Sequence, residues 1–472
     1  MNPFTFNQHP KHHLVLDPDY LPIVLAFRAF EHAVKEEASP IKVGIALERS
    51  QGQIATYETQ IFSSEKYQHE NILYIERLVK TLLWLKGGFR VFIGGPEYLG
   101  QAIQDIYSKD GQRSFDQAFM SRVYEHPFKV IITTYDSLPQ TNETSKPIGR
   151  HLNGYRIGFD AGGSDRKVSA VIDGNPIYSE EIVWYPKLHH DPNYHIEGVK
   201  DSLLRAASKM PRVDAIGVSA AGIYIDNKTM VGSLYIQVND QDFHDKIKDM
   251  YLDIAKEMGD IPIEVANDGD VTALAGAMSL GKHQVLGIAM GTSEAAGYVD
   301  EFGNITGWLN ELAFVPLDLN PNAEVDPWSG DLGVGVEYFS QEAIIKLAKA
   351  AKIELEDDLS PASKLKMIQS MMAYGDPKAE EIYQTMGAYL AYGLAYYSLF
   401  YKIQVVMILG RVTSGKGGEI MLDVAKDILA DEFPELASTI EIVLPDENNR
   451  RVGQSIAAAS LPEIKKWGRL WN

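Results

Sequence analysis

The chain has 472 residues, 45% of them apolar, which is more than one ordinary core needs, so two or three globular domains are expected. Its 44 basic and 64 acidic side chains give a net charge of -20, which disfavours non-specific attraction to DNA or anionic lipid and leaves any anionic ligand dependent on a local site. There is no cysteine, which excludes disulfides, thiolate zinc sites and cysteine-held iron–sulfur clusters.

The first ten residues lack the basic-then-apolar order of a signal peptide, and a cytoplasmic location is expected. Residues 19–38 have helical apolar spacing, 41–47 and 53–62 read as two strands of a hairpin, and a helix is expected over 71–86. Strands follow over 89–93 and 129–134. The polar, proline-containing stretch 139–153 reads as a linker, so residues 1–150 are expected to form an additional N-terminal α/β domain of unknown role.

Residues 155–172 form the pattern of a β-hairpin whose tip contains Gly162, Gly163 and Ser164. Such a tip can hold a phosphate, because the glycines let backbone amides approach an anion and Asp160 offers a carboxylate to a hydrated metal ion. The same residues also make an unliganded glycine hairpin, so the rest of the chain must decide. A third strand over 182–185 and a helix over 195–209 follow. His189, His190 and His195 crowd the connection, but no further ligand stands at a suitable spacing, so they are read as a solvated loop without a role. A buried strand at 213–219 runs into Ala220-Ala221-Gly222. Another at 261–266 ends in Asn267-Asp268-Gly269-Asp270 before a small-residue helix at 271–278. Polar groups at the carboxyl end of such a strand lie where open α/β sheets bind ligands, which makes Asp268 a candidate base; the plain alternative is that Asn267 or Asp270 caps the helix.

Residues 285–290 lead to Gly291-Thr292-Ser293 and a strand at 296–299, repeating the earlier hairpin. Gly307-Trp308-Leu309-Asn310-Glu311, a loop at 316–335 and a helix start at 336–340 come next. Residues 382–401 run without a charge for the length of a bilayer span, but six tyrosines make a buried helix the better reading. A strand at 404–409, a loop from Gly410 to Gly418 and a helix at 419–430 complete the pattern. That loop imitates a phosphate loop but places Gly417 where a hydroxyl must follow Lys416, so its glycines, Gly410 and Gly415 among them, are read as a floor for a flat ligand such as a purine.

From residue 155 to about 465, order and spacing resemble the ROK family of sugar kinases and sugar-responsive repressors, within the actin–hexokinase superfamily. Asp160-Ala-Gly-Gly-Ser resembles the family's DxGGT phosphate motif, 216–222 its second strand and turn, Asn267-Asp268 its NDAN, Gly291-Thr292 its GTG, and the Gly410 loop its adenosine motif. The resemblance implies an α/β fold of two ribonuclease H-like lobes, the first over 151–280 plus 452–472 and the second over 281–451, closing on substrates. It also implies ATP- and Mg-dependent phosphorylation of a hexose or hexose derivative. Asp268 would be the general base; Asn267, Gly222, Glu311 and Glu337 would hold sugar. Asp160 would hold magnesium through water, and Gly162, Gly163, Ser164, Gly291, Thr292, Ser293, Gly410 and Gly415 would line the nucleotide.

Departures accompany the match. Phe314 stands where the family's GEIGH has histidine, Trp328 to Glu337 replaces the zinc-binding cysteines, so no structural zinc is expected, and Gly410 is followed by Arg411 where the family repeats glycine. An alternative reading is a catalytically weak or inactive sugar-binding sensor. Expected partners are a sugar and a nucleotide, with no nucleic acid and no membrane, and a homodimer is an assembly the family often forms.

Overall fold

Apolar residues at period two in the first 144 residues build a four-stranded sheet in the order β2-β1-β3-β4, from β1 (Ile41–Glu48), β2 (Ile54–Ile61), β3 (Arg90–Gly94) and β4 (Lys129–Thr133). Residues 43–47 of β1 are all buried, as befits a central strand. Four helices accompany it: α1 (Ile23–Lys35), α2 (Gln68–Lys86), α3 (Glu97–Ile106) and α4 (Ser114–Tyr124). The computed structural model describes residues 4–144, 148–444 and 447–464. Residues 145–147 of the expected linker and 465–472 of the expected first lobe lie outside the described residues.

The glycine-tipped hairpin is present, with β5 (Tyr155–Ala161) antiparallel to β6 (Asp165–Ile172). A third strand, β7 (Asn175–Val183), starts directly after the Asp173-Gly174 turn, earlier than expected. β5 also pairs in parallel with β8 (Ala215–Ala220), and, past the small antiparallel pair β9 (Ile223–Ile225) and β10 (Lys228–Val231), β8 pairs with β11 (Ile263–Asn267), giving the order β11-β8-β5-β6-β7. Helix α5 (Pro192–Ala207) supplies Val199, Leu203 and Ala206 to the core of this sheet. Helix Glu447–Ala459 lies against β5 and β8 through one detail of sequence: Gly158 and Gly217 are register partners, and a Cβ on either would collide with the carbonyl of Ser455 or Ala458. The paired glycines therefore open a groove for that helix. His195, expected in a solvated loop, is instead buried on α5, its ring 5.1 Å from that of Tyr235, and burial pulls its pKa down.

A last sheet has the order β13-β12-β14-β15, from β12 (Val285–Met290), β13 (Glu294–Val299), β14 (Val405–Leu409) and β15 (Glu441–Val443). Residues 382–397 of the uncharged run fall in helix Pro377–Tyr397, which is buried nearly all round, and each polar tip of Tyr383, Tyr389, Tyr392 and Tyr396 has a hydrogen-bond partner. Among the described residues no helix is long and apolar enough to cross a membrane.

The chain divides into two compact units. One comprises Met1–Thr144, Ile288–Ala296 and Trp308–Leu444, the other Ser145–Gly287, Gly297–Gly307 and Pro445–Asn472. The sequence reading gave residues 1–150 a domain of their own; in the structure 1–144 share a unit with 308–444. The physical reason is main-chain and core continuity. Ile23 N donates to Leu317 O at 2.9 Å, Leu319 N to Leu21 O at 2.9 Å, and Phe27 packs its ring 5.5 Å from Tyr396.

Candidate functional site

In the second unit, three parallel strands deliver polar groups at their carboxyl ends. Register pairs Asp160 of β5 with Ser219 of β8, and Ala220 of β8 with Asn267 of β11. Ser219 Oγ donates to Asp160 Oδ1 at 2.8 Å, and Gln454 Nε2 donates to the same oxygen at 3.3 Å. Burial pushes the Asp160 carboxyl up to about 6; Ser219 and Lys167 oppose this, while Asp268 and Asp165 add to it. The Asp160 carboxyl, raised in part by the Asp268 carboxylate and with the Ser219 hydroxyl alongside, belongs to an all-oxygen donor set, which fits a hydrated magnesium ion.

Helix Asp268–Leu280 begins three residues earlier than its small-residue run suggested, so Asp268 lies in its first turn. Asn267 is the cap: its Oδ1 accepts from Gly269 N at 2.7 Å, while its Nδ2 donates to Gly222 O at 2.8 Å. Asp270 is not a cap; it is buried, and Tyr298 N donates to its Oδ1 at 3.3 Å. Asn267 still has one amide hydrogen and one oxygen lone pair to offer. Gly222 is needed as glycine, at φ +139 and with no room for a Cβ against the Val231 carbonyl. Asp268 Oδ1 accepts from Gly269 N at 3.1 Å, and desolvation raises its pKa, with Lys187 pulling in the opposite direction.

The glycine loop itself is held from below. Gly162 N donates to Asp165 O at 2.9 Å, and Trp184 Nε1 donates to Gly162 O at 2.7 Å, leaving Gly163 and Ser164 exposed. Lys187 stands beside it, its Nζ 3.8 Å from the point a Cβ on Gly163 would occupy. The sequence reading missed Ser219, Gln454 and Lys187. A hydroxyl one residue before Ala220-Ala221-Gly222 at a strand end was a usable signal; the other two arrive through the fold, Lys187 by way of β7 and Gln454 by way of the groove at Gly158 and Gly217.

In the first unit, Gly291 N donates to Ser293 O at 3.0 Å, closing a tight turn that exposes Thr292 and Ser293 between β12 and β13. Gly410 has φ +102 and no room for a Cβ against the Met290 backbone. Gly415 has φ +76, is exposed with open space above it, and caps helix Lys416–Glu432, which starts earlier than expected. Gly417 is buried against the Tyr383 ring, a packing reason for glycine where a phosphate loop needs a hydroxyl. Only part of the glycine floor is therefore open.

Glu311 and Glu337 are brought near one another by two short turns, Leu312–Phe314 and Gly335–Glu337, and not by the helix start expected at 336–340; the following helix is Gln341–Ala350. Gly335 N donates to Val315 O at 3.0 Å, and a Cβ on Gly335 would collide with the Leu312 carbonyl and the Glu294 carboxyl. Burial pushes Glu337 up to about 7, with Lys346 opposing and Asp326, Glu324 and Glu342 reinforcing. Glu294, which the sequence reading left without a role, is buried with neither carboxyl oxygen hydrogen-bonded, and burial together with Glu311 raises its pKa well above the ordinary value. Phe314, at the family's histidine position, lies in an aromatic cluster, its ring 4.2 Å from Trp84 and 5.2 Å from Trp328.

The ROK family profile matches residues 156–451. No curated protein matches the chain. Among solved structures, a ROK family transcriptional regulator that is a homologue of the Escherichia coli MLC protein is 16% identical with a TM-score of 0.53, covering 68% of this chain and 80% of its own. A ROK hexokinase from Thermus thermophilus is 18% identical with a TM-score of 0.49, covering 65% and 97%. A ROK family glucokinase from Streptomyces griseus, in complex with glucose and AMPPNP, is 18% identical with a TM-score of 0.48, covering 66% and 99%. The fold is the α/β sugar-kinase fold of the actin–hexokinase type, and this chain belongs to the ROK family.

Proposed function

We propose that the protein uses ATP and magnesium to phosphorylate a hydroxyl of a hexose or hexose derivative, with Asp268 as general base. The observation that carries this reading is the placement of Asp160, Ser219 and Asp268 at the carboxyl ends of three adjacent parallel strands, beside an exposed glycine loop. Phosphoryl transfer asks little covalent chemistry of a protein; it asks for an oriented hydroxyl and a place for phosphate charge. A raised carboxyl pKa brings Asp268 closer to working pH, where a base is most effective. Asn267, with one donor and one acceptor still unspent, orients the sugar, and Glu311 and Glu337 accept from its other hydroxyls. Gly162, Gly163, Ser164 and Lys187 receive phosphate oxygens, Thr292 and Ser293 add hydroxyls, and Gly410 and Gly415 receive the nucleoside. Asp160 holds magnesium through water, and the bound ion spreads the charge of the phosphates.

A second reading, a sugar sensor without turnover, draws on the likeness to a transcriptional regulator and on Phe314. One experiment separates the two. ATP consumption is followed across a sugar panel, with sugar binding measured in parallel by calorimetry. The kinase reading expects sugar-dependent turnover that Asp268→Asn reduces by about 10³-fold or more while sugar still binds. Full activity in Asp268→Asn sinks the assignment of the base, and sugar binding without turnover in the wild type establishes the sensor.

A further inference from the structure

The first 144 residues have no role in the proposed chemistry, yet they hold the segment that carries Glu311 and Glu337 at several points. The C-terminal carbonyls of α2 receive main-chain donors from that segment: Asn310 N donates to Leu85 O at 3.0 Å and Glu311 N to Trp84 O at 3.1 Å. Lys86 lies over the Trp308 ring at 3.0 Å, and Trp308 Nε1 donates to Glu143 at 2.8 Å. Deeper in, Lys80, on α2, and Arg113, just before α4, both pair with Asp331 in the loop ahead of Glu337.

The charges of this inner cluster are informative. Lys80, Arg77 and Arg113 face Glu76 and Asp116 within the N-terminal segment, three cations against two anions, and Asp331 supplies the third. Lys80 is fully buried and keeps its charge, its pKa raised because the two aspartates outweigh the cost of burial. Buried ion pairs add little net stability over apolar side chains of similar volume, but an unmatched buried charge is strongly penalised, so the cluster accepts the loop only with Asp331 in place.

We propose that the N-terminal segment is a built-in brace for the two carboxylates, with Asp331 as its positioning residue, held by Lys80 and Arg113. The assignment of those carboxylates to sugar rests on the kinase reading; the brace itself does not. Glu311 is fixed from the α2 carbonyls, and Glu337 is fixed through Asp331 and the turn Gly335–Glu337.

Hydrogen exchange on the whole 472-residue chain tests the brace without any substrate. Asp331→Asn is expected to speed exchange across residues 308–337 at least tenfold, with β5 and β8 at wild-type rates; Asp331→Glu is expected to recover most of the protection. Steady-state kinetics give the consequence: KM for sugar rises at least tenfold, while kcat and KM for ATP stay within about twofold. Glu143→Gln, at the more open edge, is expected to give the same pattern at about threefold, and it decides the matter should Asp331→Asn fail to fold. Unchanged exchange at 308–337, or a uniform loss of protection with the sugar KM intact, overturns the proposal. Absence of turnover in the wild type would remove the kinase reading and leave the exchange result to decide the brace.

Discussion

The strand ends of the second unit and the carboxylate-bearing turns of the first unit are built on different principles. Asp160, Ser219 and Asn267 are fixed by parallel ladder register, so hydrogen bonds along whole strands determine their relative positions. Glu311 and Glu337 sit on short turns, and their main chain is fixed by partners far away in sequence, on α2 and at Arg113. Regular structure positions the first set cheaply. The second needs a scaffold that the turns cannot make alone, and residues 1–144 supply it.

The largest expected effect lies in the first set. On the kinase reading, Asp160→Asn should lower kcat/KM by about 10²-fold or more, because it removes the carboxylate charge proposed to hold magnesium. The wild-type acid limb should report the same residue. Its carboxyl titrates near 6 when folded, against 3.8 ordinarily, so below about 6 it is increasingly protonated and the KM for Mg-ATP should rise as pH falls. A KM for Mg-ATP that is flat from pH 5 to 7.5 would remove Asp160 from the metal's coordination.

This contrast also explains what the sequence could disclose. Apolar alternation ending in Asp160, and a buried strand ending in Asn267-Asp268, mark their positions because these polar groups stand where periodicity stops. Gly158 and Gly217 carry no signal of their own in the sequence; only their register shows that together they admit a helix and with it Gln454. The boundary after residue 150 followed from a polar stretch, yet no local pattern could reveal that Leu21 and Ile23 would pair with Leu319 and Leu317. Phe314 read as a departure from a binding motif, whereas its packing against Trp84 gives it a structural reason. The short turn at Glu337, expected as a helix start, differs for the same cause: long-range contacts, not local propensity, fix it.

Lys187 offers a middle-sized test within the register-built set. It is exposed and lies beside Gly163, so it should act as a point charge on phosphate. Lys187→Met is expected to raise the KM for ATP by about three- to tenfold with the sugar KM unchanged, and the difference from wild type should shrink in about 1 M salt. A sugar-specific defect would instead place Lys187 on the acceptor.

The smallest effect belongs to Glu294, and it sharpens the comparison from the side of the turns. Its carboxyl is buried beside Gly335 without hydrogen bonds, so the folded protein keeps it protonated well above the ordinary 4.5. Below about that value both folded and unfolded chains carry the proton and the group contributes nothing to pH dependence. Above it the unfolded chain releases the proton while the folded chain retains it, so wild-type stability falls as pH rises. Glu294→Gln removes this linkage at nearly constant shape. Its Tm relative to wild type should therefore climb between pH 5 and 8, by about a few °C for units of this size. A constant difference across that range would mean that the Glu294 carboxyl is ionised in the folded protein, and that a cation or donor reaches it within the turns that the N-terminal segment holds.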